Sequence, residues 1–309
     1  MFRYVVKRLL MLIPILLAVS FIVYFIVDLA PGDDLDVKYG SEITAEELEA
    51  IREELGYNDP LIVRYFRYMA GFLRGDLGVS AQSGEPVFKL YMEKFPYTLK
   101  LTIWGMVVTL VLAIPLGILA ALKQNTWIDT TCTIIGLAGI SLPCFASGIL
   151  LILIFSHRLD LLPSFGAEHW YSYILPAITV GLSSAGLMLR TTRSSMLEVI
   201  RQDYLRTARA KGVSEKDVIW KHALKNALIP IITVAGNSIS VHIGGAVVTE
   251  TVFAWPGVGR LIINAIGGRD INLVTGGIIM TTAVSSIITL LVDILYGFVD
   301  PRIKARYTK

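Results

Sequence analysis

The run Tyr204-Leu205-Arg206-Thr207-Ala208-Arg209-Ala210-Lys211-Gly212 alternates cations with small side chains and closes on a glycine. A helix built from it presents guanidinium and ammonium groups around a small-residue surface that another protein can approach closely. That is contact chemistry rather than bond-making chemistry. For bond-making the chain offers little. No Gly-x-x-x-x-Gly-Lys-Ser/Thr, His-Glu-x-x-His, Cys-x-x-Cys or Gly-x-Ser-x-Gly pattern occurs. The chain therefore lacks the familiar cradle for nucleotide phosphates, the zinc and redox pairs, and the hydrolase nucleophile turn. His157, His169, His222 and His242 are dispersed without metal-ligand spacing. No catalytic residue, resident cofactor or metal site is expected.

Two further polar groups fall inside apolar stretches, where an ionisable side chain costs about 2.5–3.5 kcal/mol on insertion scales. Ser238, His242 and Thr249 recur near one helix face with Glu250 beside them, while Gly236, Gly244, Gly245 and Ala246 permit close helix approach. Such a stripe can line a wet pathway or make hydrogen bonds between helices, and the sequence leaves both readings open. Asp293 lies near the end of the last apolar run and is expected to pair with Arg190 or Arg193 for structural reasons. A proton relay would need a second buried acid at similar depth, and the sequence shows none.

The elements that must position these residues are membrane helices. Of 309 residues 54% are hydrophobic and 17% charged, and the mean hydropathy is +0.63; this composition points to an all-α, polytopic membrane protein. About 20 apolar residues are needed to cross about 30 Å of hydrocarbon. That length predicts six transmembrane helices, at 9–29, 99–122, 133–156, 173–189, 227–252 and 273–299. Arg3, Lys7 and Arg8 precede the first run, which is too long for a signal peptide and reads as an uncleaved anchor.

Lys123, the cations between Arg190 and Lys225, and Arg302, Lys304, Arg306 and Lys309 fall on the same side as Arg3, Lys7 and Arg8. The bias of Lys and Arg toward the inner face then makes both termini cytoplasmic. It also explains the net charge of +3 without a nucleic-acid partner. Cys132 and Cys144 stand twelve positions apart on one apolar run, too far for a disulfide on a straight helix.

The expected organisation is a cytoplasmic start and first helix at 1–30 and an extracytoplasmic helical insert at 31–97. A five-helix core follows at 98–302 with a cytoplasmic loop at 190–226, and then a tail at 303–309. Within the insert, Ile43, Leu48, Ile51 and Leu55 share a helix face behind acidic residues in the first turn, and a second helix is expected over 61–73. Gly75 to Ser80 reads as turn and loop. The insert caps the spans or meets a soluble delivering protein. Pro14, Pro115, Pro143, Pro176 and Pro230 fall within the spans; Pro115 and Pro143 are candidate bends for gating, against a purely packing role. No internal repeat is visible, which disfavours an inverted-repeat secondary transporter.

Several stretches together resemble one family. They are Thr192-Arg193-Ser194-Ser195-Met196-Leu197-Glu198-Val199, Asp203 to Gly212, and His222-Ala223-Leu224-Lys225-Asn226-Ala227-Leu228-Ile229-Pro230. To these add Thr249-Glu250-Thr251-Val252-Phe253-Ala254-Trp255-Pro256-Gly257-Val258-Gly259-Arg260 and, near the ends, Pro31-Gly32-Asp33, Gly75-Asp76-Leu77-Gly78-Val79-Ser80, Asp293-Ile294-Leu295-Tyr296-Gly297 and Asp300-Pro301-Arg302. The chain is similar over nearly its whole length to the permease subunits of dipeptide, oligopeptide and nickel ABC importers.

That resemblance implies the type I importer permease fold in the cell (inner) membrane. It also implies an assembly with a paralogous second permease, two ATPase subunits that bind ATP and Mg, an external substrate-binding protein and the lipid bilayer. The family's docking signature begins Glu-Ala-Ala; Arg206 and Thr207 depart from it, Ala208 keeps its place, and Gly212 is the glycine. In this reading Tyr204 to Gly212 couples to an ATPase, Ala208 and Gly212 entering a groove while Arg206, Arg209 and Lys211 supply rim contacts. The implied cargo is short peptides. Nickel or a nickel chelate is the alternative cargo, and an ion-coupled secondary transporter or a membrane enzyme or scaffold is the alternative class.

Overall fold

The structure is a computed structural model, and it describes residues 2–29, 34–39 and 43–299. The Pro31-Gly32-Asp33 and Asp300-Pro301-Arg302 motifs and the tail cations Arg302, Lys304, Arg306 and Lys309 lie outside the described residues. The fold is all-α. Among the described residues the extended pairing consists of an isolated bridge between Val79 and Pro86.

The chain opens with α1 (Phe2–Asp28), followed by the insert helices α2 (Asp34–Tyr39), α3 (Ala45–Glu54) and α4 (Leu61–Leu73). α3 starts in a capping box: the Thr44 hydroxyl accepts from the Glu47 amide, and the Glu47 carboxylate accepts from the Thr44 amide at 2.9 Å. The Thr44 backbone N–H holds the Glu47 carboxyl below the usual carboxylate range. α4 lies on α1, where the buried Tyr65 places its hydroxyl 2.8 Å from Ser20 Oγ and donates to Leu17 O at 3.2 Å. Arg64 pairs with Asp28 at 2.7 Å. The helix expected over 61–73 thus stands as α4, fastened to α1.

α5 (Val87–Leu122) begins about three turns before the expected second span, because Val87 and Tyr91 are buried and extend its packed face. Pro115 sits inside it without ending it. The third apolar segment differs. α6 (Trp127–Ser141) and α7 (Cys144–Leu151), which continues into a π-helical turn at Ile152–Arg158, meet at a bend of 104°. Pro143 has no N–H to donate and disfavours the helical conformation for Leu142, whose ψ is 122°. The helix breaks there.

After a 3₁₀ turn at Trp170–Tyr173 come α8 (Ile174–Ile200), α9 (Asp203–Ala210) and the short α10 (Glu215–Asp217), then a π-helical turn at Val218–Ala223. α11 (Leu224–Val252), α12 (Val258–Gly267) and α13 (Ile271–Val299) complete the chain. Among the described residues five helices are long and apolar enough to cross a membrane, and counting the bent pair as one span raises this to six.

The centre of the bundle is α5 against α8. A Cβ on Gly181 would stand 2.8 Å from Gly105 O, and Thr109 Oγ1 donates to Gly181 O at 2.9 Å. The two backbones meet through small residues, as membrane helices do where dispersion and hydrogen bonding replace the hydrophobic drive. α6 meets α8 still more closely, since a Cβ on Gly186 would fall 2.1 Å from Gly136 O. At the insert end, Asp270 caps α13. It is fully buried and accepts from the Leu273 amide at 3.1 Å and Ser80 Oγ at 2.5 Å. Asp34 accepts from the Ile271 amide at 2.7 Å. Both acids satisfy donors that a helix start leaves open, and both tie the insert to the last span.

Candidate docking surface and buried polar clusters

α9 forms from part of the basic run. Asp203 stands in its first turn and Gly212, at φ +80°, closes it in the left-handed region that glycine tolerates. Its inner face is short. Leu205 is fully buried against Ile118 and Ala121 of α5, Met196 of α8, and Val218, Ala223 and Ala227, with Ala208 packed partly on the same cluster. Three residues along the helix, Ala208 follows Leu205 onto this face. Ala208 therefore packs partly on its own chain and keeps part of its surface open. The cluster roots α9 on the ends of three long helices at once.

The outer face of α9 is open. Tyr204, Arg206, Thr207, Arg209, Ala210, Lys211 and Gly212 are exposed. Arg209 is held by a two-pronged contact to Glu215 at 3.0 and 2.8 Å, which pushes the guanidinium further above its ordinary range. Arg206 reaches Asp203 at 3.8 Å, and its side chain is 80% exposed. The Tyr204 hydroxyl accepts from Asn226 Nδ2 at 2.7 Å, pinning the ring to the root of α11. The surface is thus a fixed basic platform with small residues at Thr207 and Ala210.

At the opposite end of α11, Glu250 has no solvent exposure. Its carboxylate accepts from Thr98 Oγ1 at 2.6 Å and from the Arg260 amide at 3.0 Å, and Thr98 Oγ1 accepts from the Val258 amide at 2.9 Å. Glu250 caps the start of α12 and is borrowed from the preceding helix. Gly257 is required beside it, since a Cβ there would stand 2.1 Å from Glu250 Oε1. The intervening loop is equally fixed. Trp255 is fully buried, donates to Tyr97 O at 3.3 Å and meets Tyr173 edge-on at 4.5 Å. Ala254, at φ +48°, is held by the Arg260 guanidinium on its carbonyl.

The other members of the candidate pathway stripe are also internal. His242 Nε2 lies 2.6 Å from Ser184 Oγ, Thr249 Oγ1 lies 3.1 Å from Cys144 Sγ, and Ser238 donates to Val234 O at 2.9 Å. All are buried, and His242 Nδ1 has no hydrogen-bond partner among the described residues. In this conformation Ser238, His242, Thr249 and Glu250 face the chain's own helices rather than a wet surface. The helix-joining reading fits the geometry.

Arg193 makes an ion pair with an acid outside the sequence expectation: it clasps Asp129 at the start of α6 with bonds of 2.6 and 2.7 Å. Asp129 is nearly buried and also accepts from the Asn125 amide at 3.0 Å, so it presents a well-formed site for the bidentate fork. Arg190 is exposed on the wall of a groove that Asp129 and Arg193 also line. Sequence reading passed over Asp129, Thr98 and Asp270, each partnered with a residue far away in the chain; no local signal marks such pairs. Among the described residues no three His, Cys, Asp or Glu side chains are grouped to hold a metal ion.

Comparison with known proteins agrees with this architecture. Residues 113–305 match the family described as binding-protein-dependent transport system inner membrane component, and residues 1–102 match the amino-terminal family of the same membrane components. The chain is 42% identical over 304 residues to the glutathione transport system permease protein GsiC of Escherichia coli strain K12, covering 98% of this chain and 99% of the relative. The counterpart in Salmonella paratyphi A is also 42% identical, with the same coverage. Among solved structures, the inward-facing MetNI methionine ABC transporter matches with a TM-score of 0.58 at 18% identity, over 68% of this chain and 96% of that one. An amino acid ABC transporter crystallised with histidines matches at 0.51 and 14% identity, over 69% and 94%. At such identities the structures speak to the fold alone.

Proposed function

The chain belongs to the family of binding-protein-dependent transport system inner membrane components, and from that membership we propose that it forms one half of the translocation path of an importer for short peptides. It is a permease subunit of an ABC importer, and ATP hydrolysis belongs to a separate subunit. The peptide reading is carried by the identity of 42% over 98% of the chain to permeases named for glutathione, itself a short peptide. The two ATPase subunits, with their ATP and Mg, engage the open face of α9. A second, paralogous permease completes the path, and an external binding protein delivers the solute at the insert end. The α9 end and both termini then face the cytoplasm.

The geometry supports this role for α9. A short helix with an open basic face, rooted through Leu205 on α5, α8 and the base of α11, carries a push from outside the bilayer to three helices as a unit. The test is uptake by the complete importer reconstituted in vesicles. ATP-dependent accumulation of labelled glutathione or a dipeptide is expected, reduced by unlabelled short peptides and unaffected by nickel chelates. Uptake that survives removal of the ATPase subunits would instead indicate an ion-coupled secondary transporter.

A further inference from the structure

A groove of about 510 Å³ runs between α11, α12 and α13. Its polar lining is Ser240 on α11 and Thr281, Thr282, Ser285, Ser286 and Thr289 on α13, and Ile262 and Ile278 wall it. Thr281 stands about 15 Å along α13 from its start, at 1.5 Å per residue, so the hydroxyls occupy the middle of the span. Lipid cannot satisfy polar groups at that depth. Exposed positions such as Ile103, Val107 and Val111 on α5 and Ile134 and Ile135 on α6 obey this rule with apolar side chains. The groove breaks it. So does Asn237, exposed on α11 and in line with Ser240 and Gly244 at helical spacing.

The hydroxyls are arranged to accept. Thr281, Thr282 and Thr289 donate to Gly277 O, Ile278 O and Ser285 O at 2.8, 2.9 and 2.8 Å, which leaves their lone pairs for other partners. Tyr91 and Ser240 take up part of that capacity, at 3.3 Å from Thr281 and 2.8 Å from Thr289. Ser285 and Ser286 have no side-chain hydrogen bond among the described residues and remain free to donate or accept. No lining side chain is charged. A Cβ on Gly244 would meet nothing within 4 Å, so open space reaches the α11 backbone.

We propose that this groove, and not the His242 stripe, is the surface by which this chain contacts the solute in transit, and that it recognises the uncharged amide groups of a short peptide backbone. The inference rests on the importer reading above. It is tested in the complete importer in vesicles, with Cys132→Ser and Cys144→Ser as background. A water-soluble cationic thiol reagent is expected to modify Ser286→Cys at least about tenfold faster than Val111→Cys, the lipid-facing control. Equal rates would overturn the proposal. Thr282→Val keeps the shape and removes the hydroxyl, and it is expected to raise the KM for peptide several-fold with the maximal rate nearly kept. An unchanged KM would also overturn it. If the parent complex shows no ATP-dependent uptake, the importer reading fails instead, and thiol labelling still reports whether the groove is wet.

Discussion

Glu250→Ala is expected to unfold the end of the bundle that carries the insert. The substitution removes the acceptor for Thr98 Oγ1 and for the Arg260 amide and leaves a void where nothing is solvent-exposed. Each buried group left without a partner costs about 1–3 kcal/mol, so two of them and the void come to roughly 3–6 kcal/mol, at the upper end of single-substitution effects. The loss spreads. α12 loses its cap, Thr98 loses the bond that orients it toward the Val258 amide, and the Trp255 loop loses one of its fixed ends. Glu250→Gln keeps the shape and one acceptor oxygen and is expected to be milder, by about half. Thermal unfolding of the purified complex checks both. A Glu250→Ala protein that melts with the parent would mean that α12 is held by something other than this carboxylate.

Ala210→Trp is expected to abolish transport without harming the fold. Ala210 lies on the open face of α9, and substitutions at exposed sites usually change stability by less than about 0.5 kcal/mol. A bulky ring there blocks close approach by a partner. Uptake by the complete importer should therefore fall at least about tenfold, with an unchanged melting temperature. Leu205→Ala supplies the contrast, because it empties the anchor of α9 and a buried Leu→Ala change costs about 2–5 kcal/mol. It should lower the melting temperature as well as uptake. Full uptake by the Ala210→Trp importer would contradict coupling through α9.

The helices are legible in the sequence, α4 and α9 among them, because each is specified locally. Apolar length marks a span, and Leu61 to Leu73 is a helix whose aromatic residues recur at its own period. Alternating cations and a closing glycine marked α9. What the sequence leaves open is direction around and between helices. The stripe of Ser238, His242, Thr249 and Glu250 fits a wet face or helix-joining hydrogen bonds equally by its spacing; in the structure His242, Thr249 and Glu250 meet Ser184, Cys144 and Thr98 on other helices. One helix cannot tell which of its polar faces has a partner waiting. The hydroxyls of α13 recur at intervals of three and four from Thr282 to Thr289, a signal that was present but hidden by the ease with which Ser and Thr bond to their own helix.

Likewise, Asp129 reaches Arg193 from the start of another helix, a pairing that no local pattern announces. The bend at Pro143 shows the limit of counting apolar residues. The third segment has the length of a span but is two helices meeting at 104°. A proline mid-run marks where such a break can fall, and the chain breaks at Pro143 but runs on through Pro115.

The most direct test of coupling places a photoreactive amino acid at Ala210 of this chain in its native membrane, with the same residue at Val111 as the lipid-facing control. Illumination is predicted to attach an ATPase subunit to the chain from position 210 and not from position 111. No ATPase adduct from position 210, in a complex that still takes up solute at the expense of ATP, would contradict the account.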